Sequence, residues 1–159
     1  MARIVIAEAG PLIAFASIDA LSVLRGLFSG IYVTESVKEE CQGKPGIDAR
    51  RIEAAVDEGW LVISHQVAGA APLSPGLGAG ESDSIRFALE TREESLLIVD
   101  DRLARRYALK QGLNIAGTVR LLDLAEQRSL IDSAEQCIQE MAIVGYRISV
   151  EILNLIRSE

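Results

Sequence analysis

Leu96-Leu97-Ile98-Val99-Asp100-Asp101-Arg102-Leu103-Ala104-Arg105 is the stretch on which the fold turns. Four consecutive aliphatic residues predict a strand buried on both faces, as in parallel sheets covered by helices. Two acids follow where that strand ends, and Arg102, Arg105, Arg106 and Lys110 then recur through a helical segment. The stretch is therefore a strand that hands a pair of carboxylates to the start of a helix.

The same grammar repeats on either side. Ile4-Val5-Ile6-Ala7 is a short β-branched run closed by Glu8 and Gly10-Pro11, and Pro11 suits the first turn of a helix. Leu12, Ile13, Phe15 and Ala16, then Leu21, Leu24, Leu27 and Phe28, predict two short helices with Asp19 as a cap between them. Ile31-Tyr32-Val33 predicts a second strand, and Thr34 an N-cap for a helix through Val37, Glu40 and Cys41. A helix from Ile47 to Glu58, stopped by Gly59, leads to a third strand at Trp60-Leu61-Val62-Ile63. Residues 69–80 are a long loop rich in Gly, Ala and Pro, after which Glu81 opens a helix carrying Ile85, Ala88 and Leu89. A last strand, Asn114-Ile115-Ala116, passes through Gly117-Thr118 into a helix with Val119, Leu122 and Ala125. From about residue 133 to 159 the tail reads as two helical pieces around Gly145-Tyr146, with an apolar stripe at Ile148, Ile152, Leu155 and Ile156. Strands alternating with helices imply an α/β fold, a central mainly parallel sheet with helices on both faces. The 159 residues, nearly half of them hydrophobic, suffice for one core, and no composition break divides them.

Composition narrows the chemistry. A net charge of -7 argues against holding nucleic acid by a broad basic face, so any such contact is local or metal-assisted. Cys41 and Cys137 lack the spacing of a disulfide framework or a zinc knuckle, and a reducing cytoplasm is expected. The opening Met-Ala-Arg runs straight into a strand without signal-peptide layout, and no apolar run is long enough for a membrane span. His65 alone cannot supply a multi-histidine metal cluster. Carboxylates remain as the abundant reactive groups.

Ligands of open parallel sheets bind beyond the carboxyl ends of the strands. Glu8, Asp100 and Asp101 stand there, Glu39 and Glu40 lie in the helix after the second strand, and Glu81 and Asp83 open a central helix. Mg²⁺ prefers oxygen ligands, retains water and needs one or two carboxylates per ion, and Mn²⁺ accepts the same donors. Each acid also has a plainer use. Negative charge stabilises a helix N-terminus, which accounts for Glu81 or Asp83, and Asp100 or Asp101 is a natural N-cap. Glu39 and Glu40 fit a solvated helix face, and Glu8 fits a structural partner for an arginine.

Taken in order, these motifs resemble the PIN-domain ribonucleases, including the VapC-type toxins of prokaryotic toxin-antitoxin pairs. The resemblance rests on Glu8-Ala9-Gly10-Pro11-Leu12-Ile13, Val37-Lys38-Glu39-Glu40, Gly80-Glu81-Ser82-Asp83-Ser84-Ile85, Asp100-Asp101-Arg102-Leu103-Ala104-Arg105 and Gly117-Thr118, with Gly145-Tyr146-Arg147-Ile148-Ser149 near the end. It covers residues 3 to 157. It implies a PIN-like three-layer α/β/α sandwich and metal-dependent cleavage of RNA, with Mg²⁺ or Mn²⁺ as cofactor. It further implies an acidic site of Glu8, Glu40, Glu81 or Asp83, and Asp101, with Asp100 as a further metal contact or, with Thr118, a group orienting ligands and water. Arg102, Arg105 and Arg106 are candidates for phosphate contacts. A small antitoxin and a homodimer are the partners such relatives suggest. The family usually has Asp where this chain has Glu8, whose carboxylate lies roughly 1.5 Å further out, and a small hydroxyl residue where it has Ala9.

That departure keeps a second expectation open, a catalytically weakened PIN-like module that binds nucleic acid or regulates. A haloacid-type phosphotransferase or a receiver domain also places acids at strand ends. A receiver needs a lysine at the end of a late strand, where this chain has Ala116-Gly117-Thr118. A dinucleotide fold needs Gly-x-Gly-x-x-Gly after the first strand, and Gly76-Leu77-Gly78-Ala79-Gly80 lacks the Lys-Ser/Thr ending of a phosphate loop.

Overall fold

A computed structural model describes residues 4–64, 71–148 and 153–154. His65, the first residues of the long loop, and Ile152, Leu155 and Ile156 of the tail stripe lie outside the described residues. In chain order the elements are β1 (Ile4–Ala7), α1 (Ala9–Ser17), α2 (Leu21–Leu27), β2 (Ile31–Thr34), α3 (Glu35–Cys41), α4 (Ile47–Asp57) and β3 (Leu61–Ser64). They continue with α5 (Ala79–Glu90), a short 3₁₀ turn (Arg92–Glu94), β4 (Ser95–Ile98), α6 (Arg102–Lys110), β5 (Ile115–Ala116), α7 (Thr118–Gln127) and α8 (Ala134–Ile143).

The strands form a five-stranded sheet in the order β3-β2-β1-β4-β5, and all four pairings are parallel. Alternation along each strand divides the core in two. Ile6, Leu97 and Val99 point to one side, where they pack with Ile85 and Ala88 of α5 and Ala104 and Ala108 of α6. Val5, Ala7, Ile31, Val33 and Ile98 point to the other, against Leu12, Phe15, Leu24, Leu122 and Met141 from α1, α2, α7 and α8. A sheet apolar on both faces must be covered on both, which makes the three-layer α/β/α sandwich.

Local signals explain most boundaries. The Thr34 hydroxyl accepts from the Val37 N–H at 3.2 Å and starts α3. Gly59 takes φ +89, the left-handed conformation that ends α4 at little cost. Asp19 departs from its expected role. It is not the cap of α2, whose N-cap position is Ala20; it takes φ +56 in the turn after α1, with its carboxylate 3.4 Å from Arg51 Nε. Asp is among the residues that tolerate this conformation. α5 begins at Ala79, two residues before the expected Glu81. Cys41 is buried, which pushes its thiol up to about 12, with Glu40 and Asp48 adding to the shift. It is an inert core residue. No single helix among the described residues is long and apolar enough to cross a membrane.

Candidate functional site

The chain lays down β1, β2 and β3 in one direction and returns to add β4 and β5 on the other side of β1. The strand order therefore reverses between β1 and β4, where open α/β sheets form a crevice at their carboxyl ends. The Glu8 N–H donates to the Ile98 carbonyl at 3.0 Å, joining the ends of the two strands at that point. Above it opens a cleft of about 420 Å³ lined by Glu8, Glu40, Glu81, Asp100 and Asp101, with Gly10, Tyr146 and Arg147.

Each acid arrives by a different route. Glu8 holds the extended conformation of a helix N-cap, yet its side chain makes no cap bond. It is 5% exposed, and its Oε1 is fully buried with no hydrogen-bond partner among the described residues. Glu40 comes from the last turn of α3, its residue exposed to solvent at the cleft wall. α5 packs against α3, with Gly80 beside Val37, and Glu81 and Glu40 line the same cleft. Glu81 Oε1 accepts from the Gly78 N–H at 2.9 Å, and Asp101 lies close enough to raise its carboxyl. Asp101 caps α6, accepting from the Ala104 N–H at 3.0 Å.

Asp83, two residues beyond Glu81, turns elsewhere. It accepts from the Ser36 hydroxyl and, at 3.2 Å, from Arg86, and it does not line the cleft. Residues two apart on a helix face different directions, so one helix start delivers one carboxylate to the cleft and one to the packing beneath it. Asp100 accepts three hydrogen bonds. Its Oδ1 accepts the Thr118 N–H at 2.7 Å, and its Oδ2 accepts the hydroxyls of Thr118 and Tyr146. Thr118 is wholly buried and reaches the cleft only through Asp100.

Like charges in a poorly hydrated cleft hold each other's protons. Burial pushes the Glu8 carboxyl well above the usual carboxylate range, and Glu81, Glu40, Asp101 and Asp83 push it further. Glu81 is raised as well, first by burial and then by Asp101 and Glu40, against a lowering effect of the Gly78 N–H. Carboxylate, an orphaned buried oxygen and excess negative charge are the donor chemistry a hard divalent cation satisfies. The carboxylates nevertheless do not form a closed cage. No group of three or more His, Cys, Asp or Glu among the described residues is drawn together as a ligand set.

The expected arginines part company. Arg105 is 2% exposed and donates to the Val99 carbonyl at 3.1 Å, so it is a core residue holding the end of β4 and cannot reach a phosphate. Arg102 and Arg106 are exposed. Tyr146 and Arg147 line the cleft without having been expected there on chemical grounds. The signal was Gly145, whose φ of +104 ends α8 and turns the chain back toward the sheet.

The fold has a counterpart among solved structures. A PilT N-terminus domain protein from the hyperthermophilic archaeon Sulfolobus solfataricus superposes with a TM-score of 0.50 at 18% identity, over 77% of this chain and 92% of that one. No curated protein matches the chain. The model of the family described as DUF3368, a PIN domain, matches residues 4–159, and the chain belongs to that PIN domain family.

Proposed function

We propose that the protein is a metal-dependent endoribonuclease of PIN type, the toxin of a toxin-antitoxin pair restrained by a small antitoxin protein. The observation that carries the metal-dependent reading is the buried, unpartnered Oε1 of Glu8 among Glu40, Glu81 and Asp101 at the strand-order reversal. A buried acceptor without a partner costs about 1–3 kcal/mol, more when charged. A divalent cation removes that cost and the mutual repulsion together.

Glu8, Glu40, Glu81 and Asp101 are the residues that would hold Mg²⁺ or Mn²⁺. When bound, the ion supplies Lewis-acid polarisation of a phosphoryl oxygen and a source of nucleophilic water at neutral pH. Asp101 is fixed by its cap bond to Ala104, which limits how its second oxygen is presented to the cleft. Asp100, held by three hydrogen bonds from Thr118 and Tyr146, serves to orient the neighbouring Asp101 and keeps one acceptor position of Oδ1 for water or the ion. Asp83 supports the start of α5 through Ser36 and Arg86. RNA is the proposed substrate, cytoplasm the proposed location and a homodimer the proposed assembly.

A second reading, a weakened PIN-like module that binds nucleic acid without cutting it, is favoured by Glu8 in the place of Asp and by the open arrangement of the carboxylates. Calorimetric titration with Mn²⁺, beside an Asp101→Asn control, followed by incubation with a structured RNA pool separates the two. Binding lost in the control together with metal-dependent cleavage supports the nuclease. RNA retention without cleavage at millimolar Mn²⁺ supports the module, and the absence of both overturns both.

A further inference from the structure

An acidic cleft without metal repels a phosphodiester, so a cationic side chain in its lining would offset part of that repulsion. Among the residues lining this cleft there is a single cation, Arg147. It is exposed, and no ion pair joins it to an acid among the described residues, although the cleft holds five carboxylates.

Its position is built rather than incidental. α8 ends at Gly145, and the Tyr146 N–H donates to the Met141 carbonyl at 2.8 Å, which folds the chain back across the helix end. The Tyr146 hydroxyl donates to Asp100 Oδ2, the oxygen that also takes the Thr118 hydroxyl. The Tyr146 ring lies against Gly10 of α1. One residue further on, Arg147 lines the same cleft.

We propose that Arg147 is a phosphate-binding subsite of the cleft, taking a backbone phosphodiester of single-stranded nucleic acid beside the carboxylates, with Tyr146 as the positioning residue that pins it through Asp100. This rests on the nuclease reading for its biological sense, but phosphodiester binding at Arg147 is separable from cleavage. A guanidinium offers a planar fork of donors that matches phosphate oxygens, which lysine cannot reproduce.

The test is fluorescence anisotropy of a labelled single-stranded RNA oligonucleotide, read in EDTA and in Mn²⁺ across a salt series, for the wild type and for Arg147→Ala, Arg147→Lys and Tyr146→Phe. Arg147→Ala should weaken binding about tenfold or more and reduce the slope of log affinity against log salt by about 0.7, the signature of one lost phosphate contact on a single strand. Arg147→Lys should keep the salt slope but not the full affinity. Tyr146→Phe, which keeps the ring and loses the bond to Asp100, should fall between wild type and Arg147→Ala in the EDTA series, where no metal is bound. Wild-type affinity and slope in Arg147→Ala, or no oligonucleotide binding by the wild type, overturns the subsite. Cleavage that survives in the first of those cases leaves the nuclease reading intact, and Arg147-dependent binding without any cleavage retains the subsite and removes the nuclease.

Discussion

The Thr118 N–H lies 2.7 Å from Asp100 Oδ1, and the Thr118 hydroxyl donates to the other oxygen of the same carboxylate. One side chain at the end of β4 thereby fixes the first turn of α7, while Tyr146 fastens the segment after α8 to the same group. Three separated pieces of chain meet on one carboxylate. Thr118→Val keeps the shape and removes one donor from a wholly buried position. Losing a hydrogen bond to a charged acceptor costs about 1.5–3 kcal/mol, and urea denaturation should show an unfolding free energy lower by that margin, with a correspondingly lower midpoint. An unchanged midpoint would mean that Tyr146 and the Thr118 backbone alone suffice.

Glu81 and Asp83 should respond oppositely to loss of charge. Glu81→Gln keeps an oxygen for the Gly78 N–H and removes a carboxylate from the cleft, so stability should hold or rise while Mn²⁺ affinity falls. Asp83→Asn weakens the contacts to Ser36 and Arg86 and should cost about 1–2 kcal/mol, with most of the metal affinity retained. Calorimetry and denaturation on both variants check this, and the reverse pattern would reassign the ligand to Asp83.

Arg105 and Arg106 are neighbours in sequence with different roles. Arg105 is 2% exposed and hydrogen-bonded to the end of β4, so Arg105→Ala removes both packing and a charged donor and should destabilise by about 2 kcal/mol or more. Arg106→Ala, on the solvated face, should fall within about 0.5 kcal/mol of wild type. Equal effects on the thermal midpoint would contradict the burial of Arg105.

The contrast between those two arginines marks where the sequence was legible. Continuous aliphatic runs such as Leu96 to Val99 mark the central strands, which helices cover on both faces, whereas the similar run Leu61-Val62-Ile63 forms the edge strand β3, with Val62 exposed. Strand ends followed by acids place Glu8, Asp100 and Asp101 at one edge, since parallel strands all end on the same side. Side-chain direction was not legible. Whether Glu81 or Asp83 enters the cleft depends on the rotation of α5, which its packing against α3 and the sheet sets and the local sequence does not. Asp19 misled because Asp serves both helix caps and left-handed turns, and here the exposed residue takes the turn after α1 and leaves the N-cap position of α2 to Ala20. Tyr146 was out of reach for a similar reason, its partner Asp100 being 46 residues away in sequence.

Glu8 supplies the prediction with the clearest sign. Its carboxyl is raised in the folded protein by burial and by the surrounding acids, so the folded state keeps the proton to higher pH than the unfolded chain. Across the window from the ordinary carboxylate value up to the raised one the folded state binds more protons, and stability falls as pH rises through it. Glu8→Gln removes that burden. The variant should therefore be more stable than wild type at neutral pH, by about 2–4 °C in thermal midpoint for each kcal/mol, and the gain should shrink as pH falls toward 4 and both proteins carry a neutral side chain. Mn²⁺ should reverse the order, because a ligand that binds only the folded state adds about 2.7 kcal/mol at a hundredfold excess over its Kd. Wild type gains that stabilisation and Glu8→Gln loses most of it. Thermal scans of both proteins at neutral and acidic pH, with and without Mn²⁺, give the four comparisons. A variant less stable than wild type at neutral pH without metal would make Glu8 a structural acceptor rather than a strained carboxylate held for a cation.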